Sequence, residues 1–235
     1  MRCGSQPNSP RLHLLVFAVE WALVAAFLWR QGWPNVWDRL ATSIAAPPSL
    51  AGFVADCPPL NVSMTRESPD GADCLPFGLS APMIALTTAV IVMPVGGCAT
   101  GFFVWRPRFS LAMFFVAGMT DLAEECWFRA CLLAPDMGVM DLCAGGFIFW
   151  IYHLDLLHWQ EDKPHFAALF RDGRFMGIIA PCLGTGCIAL YVGSGGSLWA
   201  CAGGHCVGLW VWLFLLGASA SSAVCLLFFS FFFFN

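Results

Sequence analysis

Charge is what this chain has least of. Of its 235 residues only 11% are Asp, Glu, Lys or Arg, where an average soluble chain carries roughly one quarter. Lysine is nearly absent, with Lys163 the single example against ten arginines. The net charge of −4 is small and argues against a nucleic-acid partner, which would call for a basic surface. There is no H-E-x-x-H zinc motif, no tight cysteine pair of the zinc-ribbon kind and no internal repeat. What fills the chain instead is apolar: 59% of residues are hydrophobic and the mean hydropathy is +0.73. That composition is expected of an integral membrane protein, with one domain the simplest count.

Apolar runs are expected to span the bilayer at 12–30, 78–105, 109–134, 139–158, 176–192, 197–217 and 219–234. A run of this length covers roughly 30 Å of hydrocarbon at about 1.5 Å per helical residue. The expected fold is therefore an all-α polytopic membrane protein of six to eight transmembrane helices around a polar intramembrane cavity. Residues 1–77 read as an N-terminal anchor helix and a long polar loop, 78–217 as the core, and 218–235 as a C-terminal apolar helix. No small-residue cleavage site follows the first apolar run, so an anchor is expected there and not a removed signal. Pro82 and Pro94 predict a kink or break in 78–105, and an interfacial helix is expected around Trp33–Ala45. If each span crosses once, Arg2, Arg11, Arg106, Arg108, Lys163, Arg171 and Arg174 share one side and Arg30, Arg39 and Arg66 the other. The positive-inside rule then puts the N-terminus in the cytoplasm, or in the stroma of a plastid.

Most of the 12 cysteines lie inside apolar runs, where they act as small apolar residues. Cys57 and Cys74 differ, because both lie in the polar loop and can bridge on an oxidising side of the membrane. The tripeptide starting at Asn61 is a weak glycosylation signal.

The charges that do occur inside apolar runs are therefore informative. A charged side chain at the centre of a lipid-embedded helix costs a few kcal/mol, about 2.5–3.5 on insertion scales, and must face a wet cavity or a partner. The stretch MTDLAEECWFRACL, residues 119–132, holds Asp121, Glu124, Glu125 and Arg129. Asp121, Glu125 and Arg129 are spaced i, i+4, i+8 and share one helix face, so Glu125 can pair with Arg129. Glu124 is turned by about 100° from Glu125 and has no cation one turn on, which leaves it free to act as a base. His153 and His205 sit in other apolar runs and need partners of their own. Two histidines and a glutamate pair from three helices can converge on one polar cavity, where they can deprotonate a water or hold a metal. Gly203 and Gly204 allow close approach beside His205. Each feature also has a plainer reading, as a helix–helix hydrogen bond or a buried structural clamp. Glu20, in the first span, is expected near an interface or beside an arginine elsewhere.

Taken in order, EECWFR (124–129) fits E-E-x-x-x-R, FWIYH (149–153) fits F-x-x-x-H, and His205 supplies a third motif. These motifs on successive apolar helices resemble those of the CAAX-processing and bacteriocin-processing membrane endopeptidases, the CPBP or Abi family. The tract 190–217 is similar to the cyanobacterial and plastid branch, and the resemblance covers about residues 78–217. It implies a glutamate-dependent intramembrane peptidase with no bound metal and no cofactor, its partners being a peptide or protein substrate at the membrane and the lipid bilayer. By that resemblance Glu124 activates water with help from His153, Glu125 and Arg129 brace the site, His205 stabilises the oxyanion and Phe149 packs the cavity wall. The chain departs from the pattern at Leu209, where many members have Asn or Asp, so one oxyanion donor is replaced by an apolar side chain. A non-proteolytic membrane scaffold with the same fold is the alternative. A zinc peptidase built on His153 and His205 lacks its motif, and a transporter lacks its repeats.

Overall fold

The computed structural model describes residues 10–32, 35–49, 53, 80–105, 107, 109–159 and 172–215. Among these the secondary structure is helical, with no strand. Seven α-helices follow one another: α1 Pro10–Gln31, α2 Val36–Ala45, α3 Ala81–Ala99, α4 Leu111–Glu125, α5 Val139–Trp159, α6 Ala180–Gly193 and α7 Leu198–Trp210. Three π-helical stretches extend them: Cys126–Cys131 continues α4, Phe175–Ile179 leads into α6, and Val211–Leu215 continues α7. Two helices are long and apolar enough to cross a membrane, Ala81–Ala99 and Phe175–Gly193, each 19 residues. The Cys57–Cys74 pair, the Asn61 tripeptide, most of the two long loops and the apolar run 219–234 lie outside the described residues.

The helix limits follow from local chemistry. α3 begins where Ser80 caps it, its hydroxyl accepting the Met83 N–H at 3.3 Å, and Pro82 occupies the first turn, where no N–H is needed. The helix runs on through Pro94 to Ala99, so the expected break does not occur at either proline. The Thr100 hydroxyl then donates to the Gly96 carbonyl at 2.7 Å. α6 ends at Ser194, and Gly195 and Gly196 follow at φ +71° and +89°, a left-handed conformation that glycine adopts without a Cβ penalty. Ser194 ties this turn together: its hydroxyl donates to Tyr191 O at 3.1 Å and accepts from Ser197 N–H at 3.2 Å.

Helices α1 and α7 each bury one stripe. On α1 it is Glu20, Val24, Phe27 and Leu28, an i, i+4, i+7, i+8 face that packs on α5. Arg30 closes the same pair by reaching Asp141 at 3.1 Å. On α7 the stripe is Leu198, Cys201, Ala202, His205, Cys206 and Leu209. α3 packs on α6, α4 on α7, and α6 on both α5 and α7. Small residues permit the closest of these approaches: a Cβ on Gly204 would collide with Leu190 of α6. The expected close approach beside His205 is thus made at Gly204, whereas a Cβ on Gly203 would meet nothing within 4 Å among the described residues. The outward faces stay apolar, with Leu14 68%, Val95 61% and Phe115 62% exposed.

α2, within the range expected of an interfacial helix, packs on the π-helical end of α4. Ser43 shares a 2.8 Å hydrogen bond with the Tyr191 hydroxyl. The Ser197 hydroxyl donates to Ala46 O and the Trp199 indole N–H to Ile44 O, both at 2.8 Å.

Candidate functional site

The polar residues of α4 meet α7 in an antiparallel register fixed by aromatic and small side chains. Phe114 stacks on Trp210 with ring centroids 3.9 Å apart, and the Trp210 indole donates to the Phe114 carbonyl at 3.2 Å. Further along, the Cys206 thiol points to the Gly118 carbonyl at 3.8 Å. The register then delivers His205 between Asp121 and Glu125. His205 Nδ1 donates to Glu125 Oε1 at 2.8 Å, while Nε2 lies 3.8 Å from Asp121 Oδ1. Glu125 Oε2 faces Arg129 Nε at 3.1 Å, an ion pair in which the side chains are 0% and 1% exposed. The row expected from the i, i+4, i+8 spacing is therefore present, and His205 extends it across to a second helix.

Arg129 is enclosed by two further helices. Its guanidinium carbon sits 4.3 Å from the centre of the Phe149 ring of α5, a cation–π contact. Its Nη2 donates to the Gly184 carbonyl of α6 at 3.3 Å. Gly184 makes room for this, because a Cβ there would lie 2.9 Å from the Phe149 ring. Phe149 packs on the histidines as well, 4.5 Å from the ring centre of His153 and 6.5 Å from that of His205. Phe149 thus forms a wall common to Arg129, His153 and His205.

Glu124 stands apart. It is half-buried and makes no hydrogen bond or ion pair with a described residue, whereas Glu125 is fully buried and paired on both oxygens. The two adjacent carboxylates therefore differ as the helix geometry requires. His153 is buried, and its Nδ1 lies 2.8 Å from the Phe149 carbonyl. A carbonyl only accepts, so Nδ1 carries the proton.

Several site neighbours carry no charge and gave no signal in the pattern of charges. The thiols of Cys187 on α6 and Cys201 on α7 lie against the Glu125 carboxylate, and Cys206 lies against Asp121. Read as small apolar residues, these cysteines belong instead to the wall of the polar cluster. Among these groups, Asp121 Oδ2, Glu125 Oε2 and Arg129 Nε and Nη1 are buried without a hydrogen-bond partner. The 3.1 Å Arg129–Glu125 contact is thus held by charge and not by an aligned hydrogen bond. Leu209, one turn beyond His205, is buried in an apolar cluster with Phe103, Phe175, Met176 and Trp212, so its position serves packing. Glu20 is buried in the face of α1.

No protein-family model matches the chain, and no curated protein or solved structure matches it.

Proposed function

We propose that the chain is a multi-pass membrane endopeptidase of the CAAX- and bacteriocin-processing type, with six to eight spans and its N-terminus on the cytoplasmic or stromal side. It hydrolyses a peptide bond near the membrane surface and needs no metal for that step. The observation that carries this reading is the division between two neighbouring carboxylates: Glu125 is locked to Arg129 and His205, while Glu124 keeps an uncommitted carboxylate half-open at the edge of the same cluster. The apolar outward faces of the helices support a lipid surrounding.

In this mechanism Glu124 takes a proton from a water, and the water oxygen attacks the scissile carbonyl carbon. His153, its ring fixed by the Phe149 carbonyl, helps hold that water. His205 presents Nε2 to the developing oxyanion. Its 3.8 Å separation from Asp121 is beyond hydrogen-bond length, so an N–H there can turn to substrate. The tetrahedral intermediate collapses as Glu124 passes its proton to the leaving amine. Glu125 and Arg129 hold His205 in place throughout.

A second reading, a scaffold that keeps the same cluster as a clamp, is favoured by Leu209, which replaces an expected donor with core packing. Losing one oxyanion donor costs on the order of 10²–10³ in rate. The two readings separate in a cleavage assay on membrane-tethered peptides with the full chain in detergent, with and without a chelator. The peptidase reading expects cleavage that survives the chelator; no cleavage of any peptide by folded protein favours the scaffold.

A further inference from the structure

The cluster around Glu125 contains a donor set that joins two residues of the proposed mechanism, Glu125 and His205, to a thiol it does not use, Cys187. Glu125, Cys187 and His205 each offer one ligand atom, all within 4.8 Å of one another and all from buried residues. They come from α4, α6 and α7, so the arrangement exists only in the folded chain. We propose that Glu125, Cys187 and His205 form a zinc-binding site.

The donor chemistry selects the ion. One thiolate, one imidazole and one carboxylate suit zinc, with bond lengths of about 2.3, 2.0–2.1 and 2.0–2.2 Å. Tetrahedral ligands at those lengths sit roughly 3.3–3.7 Å apart, so side-chain shifts of an ångström or so convert the present cluster into a coordination sphere. A second observation points the same way. A metal-binding histidine characteristically presents its other ring nitrogen to a carboxylate, and His205 turns Nε2 toward Asp121 while Nδ1 faces Glu125. Asp121 Oδ2 is also buried without a hydrogen-bond partner.

Charge permits the ion as well. On binding, the Cys187 thiol loses its proton and His205 loses the Nδ1 proton it now donates to Glu125; both protons pass to solvent. Zinc, one thiolate, the two carboxylates and the Arg129 guanidinium then balance, so no net charge is buried. The fourth tetrahedral position falls to water. The site takes Glu125 and His205 but not Glu124, and it stands whether or not the chain cleaves peptides.

The test uses the full chain in detergent, reduced and stripped by chelator, then loaded with zinc, desalted and assayed for bound metal. The proposal expects one tightly held equivalent that Cys187→Ser removes. Asp121→Asn should weaken binding 10–100-fold, the usual effect of losing the carboxylate behind a ligating histidine. Cys143→Ser, at an exposed thiol, and Glu124→Gln should each retain the full equivalent. Cobalt in place of zinc should give a thiolate charge-transfer band in the wild type and none in Cys187→Ser. Zinc held equally by Cys187→Ser, loss of the equivalent in Cys143→Ser, or no zinc retained by folded wild type would each overturn the site.

Discussion

Two of the arginine–carboxylate pairs among the described residues make opposite use of the same chemistry. Arg174 and Asp172 meet at the entry to the helix pair formed by Phe175–Ile179 and α6, the arginine side chain 44% exposed. Arg129 and Glu125 meet in the interior, at 1% and 0%. The outer pair is better bonded: Arg174 reaches both Asp172 oxygens, with Nε at 2.9 and 3.2 Å. The inner pair is poorly bonded by that measure, yet it is tied to His205, Phe149 and Gly184. Hydrogen-bond quality therefore does not rank the two. Water can replace either partner of the outer pair at once, whereas nothing replaces a partner of the inner pair, so burial decides which one matters.

The sharpest way to break the comparison is to remove one partner from each. Arg129→Ala takes the arginine away from the buried Glu125 carboxylate, and the expected loss is about 3–5 kcal/mol, read as a large fall in melting temperature in detergent. The double variant Glu125→Gln, Arg129→Met should recover much of that, because it leaves no orphan charge. Gly184→Ala tests the enclosure without touching a charge. Its Cβ would press on Phe149 at 2.9 Å, and overpacking of about 1–3 kcal/mol outweighs a helix-propensity gain of about 1 kcal/mol at most. A net destabilisation is expected, smaller than that of Arg129→Ala. The smallest effect belongs to the outer pair. The Arg174 side chain, by hydrogen bonding, holds the Asp172 carboxyl below its ordinary value. A depressed carboxylate stabilises the fold above its unfolded value of about 3.9, and that contribution fades as pH falls through the folded value. Wild type and Asp172→Asn should therefore differ slightly at neutral pH and converge in acid, by thermal melts across that range.

The helices were legible because hydropathy is local: the expected spans 109–134, 139–158, 176–192 and 197–217 each coincide with helical segments. The Asp121, Glu125, Arg129 row was legible for the same reason, since the helical period alone sets it. The π-helical stretch Cys126–Cys131 was not, although such stretches often sit at functional sites. Nor were Cys187 and the Gly184 carbonyl, which reach the cluster because α6 packs on α5 and α7 with a glycine against Phe149 and Arg129. A break at Pro94 does not occur: α3 continues through it, as apolar helices do when packing against a neighbour, here α6, holds the segment together.

The division of labour between the adjacent glutamates is the centre of this account. It is tested most directly by measuring melting temperature and peptide cleavage together for Glu124→Gln and Glu125→Gln. The account predicts that Glu124→Gln melts with the wild type and does not cleave, while Glu125→Gln melts lower because Arg129 and His205 lose their partner. A Glu124→Gln protein that cleaves at the wild-type rate would contradict it.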